Sequence, residues 1–213
     1  RVQGGTFHSL TAETTYFSES CSFLNSSFKD CSFSNGNGHL SGNNHFTGTL
    51  TLDSSQLLLT DSAKSSFHNL TIDSLNTVIT NEGTLEVYNS TTNVTLVNRG
   101  YLISSHSNFT DLSSFGSFKI LNTTTLYKKT VLTGTVSGNA SLNCDCQVTI
   151  DSVSFGIPFY MTNTASGTWR GPSHFTELNL SNVVFTDASV HGENASFYGD
   201  CSMTRSSLES TRF

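Results

Sequence analysis

Apolar residues in this chain come in short runs that alternate with polar ones. Leu50-Thr51-Leu52, Leu85-Glu86-Val87 and Phe118-Lys119-Ile120 each put a large apolar side chain at every second position. That is the period of a strand with one buried face. The runs follow a glycine, as in Gly48-Thr49-Leu50, Gly83-Thr84-Leu85, Gly100-Tyr101-Leu102-Ile103, Gly116-Ser117-Phe118 and Gly134-Thr135-Val136. From Gly83 through Gly100 and Gly116 to Gly134 the interval is nearly constant, and His68-Asn69-Leu70-Thr71-Ile72 is a degenerate copy between Gly48 and Gly83. A period near 17 is too short for a helix-pair repeat and too regular for an ordinary sandwich. It predicts one turn of a β-solenoid, each coil laying short strands on the coil before.

A second rhythm occupies the two ends. Over residues 11–35, Phe23, Phe28 and Phe33 are five apart, with Cys21, Ser26 and Cys31 two positions before them. Over residues 173–213, Phe175, Leu180, Phe185 and Val190 repeat the beat, followed by Met203, Leu208 and Phe213. Ser173, Leu178, Val183 and Ala188 precede the first of these sets, and Cys201, Ser206 and Thr211 the second. Large and small residues alternate as a narrow coil interior requires. Residues 46–154 carry the longer phrase. Residues 155–174 break the rhythm with Pro158, Pro172, Phe159, Tyr160, Trp169 and Arg170, which predicts a loop or distorted coil. The expected fold is all-β, a right-handed parallel β-helix with short coils of about 17 residues forming one domain over residues 1–213. About 12 coils at ~4.8 Å each make a rod roughly 60 Å long. Gly, Asn and Asp are expected at the corners, as in Asn81-Glu82-Gly83 and Asn98-Arg99-Gly100, because they tolerate positive φ. An outer-membrane barrel is the structural alternative and needs strands of nine to eleven residues.

Composition narrows the class further. Serine, threonine and asparagine make up roughly two-fifths of the 213 residues, only 12% are charged, and there are 16 phenylalanines but 2 prolines. The aromatics and the short alternating apolar runs argue against disorder. The net charge of −6 is thinly spread without a basic patch, which argues against nucleic acid as a partner. No run of 18 apolar residues is present, so no membrane-spanning helix is expected. No signal peptide is recognisable, and the chain starts and stops in mid-pattern. We therefore expect a mature or trimmed product, or an ordered part of something longer. The five cysteines are too few and too scattered for a disulfide framework. Buried free thiols are expected, with a single disulfide as the alternative.

The five-residue beat resembles the pentapeptide-repeat solenoids over roughly a third of the chain. The middle zone is similar to the parallel β-helices of surface adhesins, autotransporter passengers and phage tail spikes. The phenylalanine and asparagine repeats also resemble the polymorphic outer-membrane proteins, although their Gly-Gly-Ala-Ile element is absent. The resemblances to adhesins, autotransporter passengers, tail spikes and outer-membrane proteins imply an extracellular or cell-surface structural protein, whereas the pentapeptide resemblance implies a cytoplasmic one.

Candidate chemistry is sparse. Asp111, Asp145, Asp151, Asp187 and Asp200 have no paired spacing for acid–base work, and the lysines and arginines are dispersed. The chain is read as a non-enzyme with no catalytic residues, no metal site and no cofactor. His68, His106, His174 and His191 are read as polar corner residues. Thr-X-Thr phrases such as Thr49 with Thr51 and Thr133 with Thr135 do not recur in every coil, which argues against an ice-binding face. A pentapeptide-type mimic of nucleic acid would need the five-residue beat throughout and an acidic stripe. Tyr160, Trp169 and Arg170 are the candidate binding patch for a glycan or host receptor, against the simpler reading that Trp169 fills a coil. Nine Asn-X-Ser/Thr sequons, at Asn25, Asn69, Asn89, Asn93, Asn108, Asn122, Asn139, Asn179 and Asn194, permit an extracellular glycoprotein. The expected function is a structural subunit of a filament, fibre or surface adhesin, assembling head to tail with itself through Phe7 at one end and Met203, Leu208 and Phe213 at the other. The alternative is a glycan- or receptor-binding adhesin or tail-spike segment.

Overall fold

A computed structural model describes residues 2–53, 55–61, 63–122, 124–162 and 165–212. Phe213 lies outside them. Twenty strands, from Val2–His8 to Ser207–Arg212, account for 81% of the chain, and no helix occurs among the described residues. The strands wind into a β-solenoid of about 11 turns with roughly 18 residues per turn. Every strand pairing among the described residues is parallel, which sets aside the antiparallel barrel.

Each coil is built of three short straight runs. Between Thr91 and Asn108 these are residues 91–93, 95–98 and 101–105, separated by a register shift after Asn93 and a corner at Arg99-Gly100. Alternate side chains of each run point inward, where they stack on the equivalent residue of the next coil. One inward column runs Phe7, Phe23, Leu40, Leu59, Asn81, Asn98, Ser114, Leu132, Ile150, Trp169, Phe185 and Met203. Its steps are uneven, among the shortest from Phe7 to Phe23 and longest from Leu59 to Asn81. Leu70-Thr71-Ile72 pairs with Gly48-Thr49-Leu50, whereas Thr84-Leu85 pairs with Lys64-Ser65, so the phrases at Gly48 and at Gly83 lie on different faces of the coil.

The phenylalanine beat places one ring on each side of a coil. Phe17 stacks on Phe33 with ring centroids 4.9 Å apart, and Phe28 on Phe46 at 4.5 Å. Phe23 meets Phe17 and Phe28 edge to face. Five-residue spacing has a backbone cause as well. Ser9, Thr14, Glu19, Asn25, Asp30 and Asn35 all adopt positive φ between 48° and 65°, so each closes one side of the early coils.

Gly48 and Gly134 have the positive φ expected of corner glycines, but the other three glycines of the phrase have a different cause. Gly83, Gly100 and Gly116 are not among the positive-φ residues. They are needed because the coils touch at this corner. A Cβ on Gly100 would lie 2.1 Å from the Gly83 carbonyl oxygen, and one on Gly116 would lie 2.1 Å from that of Gly100. Asn81 and Asn98 do not have positive φ either. Their amides turn inward and form a buried ladder, in which Asn81 Nδ2 donates to Asn98 Oδ1 at 2.8 Å and Asn98 Nδ2 donates to Ser114 Oγ at 3.0 Å.

Residues 155–174 are more regular than the two prolines suggest. Phe159–Met161 and Ser166–Ser181 are strands in register with their neighbours. Pro172 sits inside the second of them, just past the bend at Gly171, whose φ is +66°.

Cys21, Cys31, Cys144 and Cys146 are buried free thiols, and burial pushes the Cys21 and Cys31 thiols above their ordinary range. Cys201 departs from its place in the beat and is exposed, because the last coil has no described neighbour on its outer side. A thiol reagent at neutral pH is expected to modify Cys201 in the folded protein and the other four only on unfolding. Mass spectrometry of the labelled chain checks this. Modification of Cys21 or Cys31 under native conditions would contradict their place in the core. Replacing either with alanine should cost about 1 kcal/mol, since little volume is removed.

Candidate functional site

One side of the early coils carries a concentration of chemistry that has no local motif. Its inner surface is the column Ala12, Phe28, Phe46, Phe67 and Val87. These residues are buried, and Phe46 and Phe67 meet edge to face at 5.3 Å. The strand period then forces the residues on either side of each inward ring to face outward. Two outward columns result. Ser27, His45, Ser66 and Glu86 form the first, and Lys29, Thr47, His68 and Tyr88 the second. Asn43 and Lys64 flank the first column two residues earlier on their strands.

These side chains interact across coils. His45 Nδ1 is hydrogen-bonded to Ser66 Oγ at 2.7 Å. The His45 and His68 rings are 5.1 Å apart and those of His68 and Tyr88 4.6 Å, making a short aromatic ladder. Partial burial, and then the neighbouring His68, lower the His45 imidazole from its usual range and so favour its neutral form. Lys64 Nζ pairs with Glu86 Oε1 at 3.5 Å, and Lys29 pairs with Glu13. Both cations are therefore matched by a carboxylate. Ser27, Asn43, His45, Lys64, Ser66 and Glu86 line an open cavity of about 430 Å³. A smaller one of about 130 Å³ shares Ser27 and His45 and extends the depression toward Thr11 and Glu13. Asn44 forms the floor. It is buried, its Oδ1 accepts from the Ser26 N–H at 3.1 Å, and its Nδ2 donates to the Ser41 carbonyl at 2.8 Å.

The residues singled out from sequence lie elsewhere. Trp169 is 1% exposed and fills the core column between Ile150 and Phe185, with its indole N–H donated to Ser173 Oγ at 2.9 Å. It cannot touch a ligand, which corrects its place in the candidate patch. Its position in the phrase Gly167-Thr168-Trp169 is that of a core residue. Tyr160 is half-buried and donates its hydroxyl to Glu177 Oε1 at 2.8 Å. Arg170 is exposed opposite Asp151 in a different column, so the three residues do not make one surface. His174 and His191 face each other in register with rings 5.9 Å apart. Among the described residues no group of three or more His, Cys, Asp or Glu side chains is arranged to hold a metal. All nine sequon asparagines are exposed or half-exposed, whereas the buried Asn44, Asn81 and Asn98 belong to no sequon. Of the end residues, Phe7 packs on Phe17 and Phe23, Leu208 is half-buried against the core, and Met203 is 47% exposed.

No protein-family model matches the chain, and no curated protein or solved structure matches it either. Sequence reasoning missed His45, Ser66 and Glu86 because each stands on a different coil, a full turn from the next along the chain. The signal that could have found them is the coil period itself, applied to polar residues as it was to glycine.

Proposed function

We propose that the protein is a structural, extracellular β-solenoid subunit of a filament, fibre or surface adhesin. The observation that carries this reading is the core column, which continues in parallel register from Phe7 to Met203. Each coil is the template for the next, so the same cross-section that holds the rod together also serves to join rods. A further coil laid on the last described one, from the same chain or another copy, would cover the exposed side of Met203 and pair the strand edge beneath it. Such a head-to-tail contact does not close on itself and propagates as a fibre. The hydroxyl and amide surface and the accessible sequons suit an outside location, where glycans would leave the stacking interior untouched. A glycan- or receptor-binding role through residues 155–174 is less favoured, because the large aromatic of that stretch is buried.

Negative-stain images of the native material test the proposal. Fibres with a subunit rise near the rod length, roughly 50 Å for eleven turns at ~4.8 Å, are the expected result. A Met203→Lys variant should shorten or abolish them by placing a charge in the stacking surface. Discrete monomers at high concentration in analytical ultracentrifugation, with no fibres in native material, would overturn it.

A further inference from the structure

We infer that the depression over Ser27, His45, Ser66 and Glu86 is a binding groove for a neutral, linear oligosaccharide lying along the solenoid axis. Four features of the site converge on that ligand class. The first is charge. Lys64 pairs with Glu86 and Lys29 with Glu13, so the lining carries as many carboxylates as cations and has no net charge to select a phosphate, a sulfate or an amine. The second is the kind of polar group. Two serine hydroxyls, a neutral imidazole and the exposed amide of Asn43 both donate and accept, as a ligand made of hydroxyls requires.

The third feature is the ladder of His45, His68 and Tyr88, with ring spacings of 5.1 and 4.6 Å. His45 belongs to the polar column, and His68 and Tyr88 flank its last two members, Ser66 and Glu86. The outward edges of these rings put aromatic C–H and carbon beside a row of hydrogen-bonding groups, a mixed apolar and polar border that suits a pyranose with its C–H face and hydroxyl edge. The fourth is spacing. The outward residues recur once per coil, at ~4.8 Å, close to the length of one sugar unit in a chain. A ligand with that repeat meets an equivalent position at each coil. From Thr11 to Glu86 the two cavities cover five coils, enough for about four units at that spacing.

The groove is also pre-formed. Asn44 is locked beneath it by two hydrogen bonds, His45 is held by Ser66, and the phenylalanines behind each strand fix the backbone. Little order has to be gained on binding. The inference does not depend on the filament reading, since a monomer would bind equally well.

Titration of the purified protein with linear tetrasaccharides of glucose, galactose, mannose and N-acetylglucosamine, and with one sulfated tetrasaccharide, tests it by calorimetry. We expect saturable binding of at least one neutral ligand at or below about 1 mM. His45→Ala and Tyr88→Ala should each weaken it about tenfold, or ~1.4 kcal/mol. His45→Gln, which keeps a hydrogen-bonding side chain of similar reach, should retain more than His45→Ala. Asp187→Ala, on an exposed corner of a late coil, should leave affinity unchanged. Circular dichroism and the urea midpoint of each variant separate loss of the groove from loss of the fold. The inference is overturned if none of the neutral ligands saturates the protein, if only the sulfated one binds, or if folded His45→Ala and Tyr88→Ala variants bind as the parent does.

Discussion

Gly100→Ala is expected to destabilise the solenoid by about 3 kcal/mol or more. The added Cβ would stand 2.1 Å from the Gly83 carbonyl oxygen and 2.5 and 2.6 Å from the oxygen and carbon of the Glu82 carbonyl. All three atoms are backbone, so no rotamer change relieves the clash. The two coils must separate at that corner, yet Gly100 N–H donates to the Asn81 carbonyl at 3.1 Å and Tyr101 N–H to the Gly83 carbonyl at 2.8 Å. Opening the corner therefore stretches the bonds that stack the coils. Gly156→Ala is the control, since its nearest neighbour is 3.8 Å away and it is not a positive-φ residue. It should change stability by less than about 0.5 kcal/mol. Urea unfolding of both variants against the parent decides the matter. Equal midpoints for Gly100→Ala and Gly156→Ala would show that the corners have slack.

The same glycines explain what could be read from sequence and what could not. Their period gave away the coil, because Gly83, Gly100 and Gly116 mark the same close corner in three successive turns. The conformational reason was not legible: a glycine needed for left-handed φ, as at Gly48 with φ +77°, reads the same as one needed for close approach, as at Gly100. Inward alternation likewise fixed the fate of Phe23, Phe28 and Phe33, while Trp169 could be read two ways, as part of a surface patch in the stretch with Pro158 and Pro172 or as a coil-filling residue in the phrase Gly167-Thr168-Trp169. Both prolines are accommodated. Pro158 offers its carbonyl to the Leu142 N–H at 3.0 Å, and Pro172 lies on an exposed turn of strand after Gly171. The groove was hidden for a geometric reason. Its residues are neighbours only after winding. The coil length also changes along the rod, being short from Phe7 to Phe23 and long from Leu59 to Asn81. That variation blurs the register by which His45, Ser66 and Glu86 could be aligned.

Asn98→Leu should cost about 2–4 kcal/mol even though it replaces a polar side chain by an apolar one in a buried column. Asn98 is fully buried and sits at the centre of the ladder. Its Oδ1 accepts from Asn81 Nδ2, and its Nδ2 donates to Ser114 Oγ and, at 3.3 Å, to the Ser117 carbonyl. Leucine removes all three bonds and leaves polar atoms above and below it in the interior. Replacing Asn81, Asn98 and Ser114 together by leucine, valine and alanine in some order would continue the apolar column that Leu59 and Leu132 begin on either side. Much of the loss should then be recovered, because no side-chain partner in the ladder is stranded. If the triple variant regains stability but its proton spectrum shows more than one state, the ladder acts to fix which coil stacks on which. Leucines can slide past one another, whereas an amide that donates in one direction and accepts in the other tolerates a single register. Denaturant midpoints give the first result and the spectrum the second. An Asn98→Leu midpoint equal to the parent's would mean the ladder contributes neither.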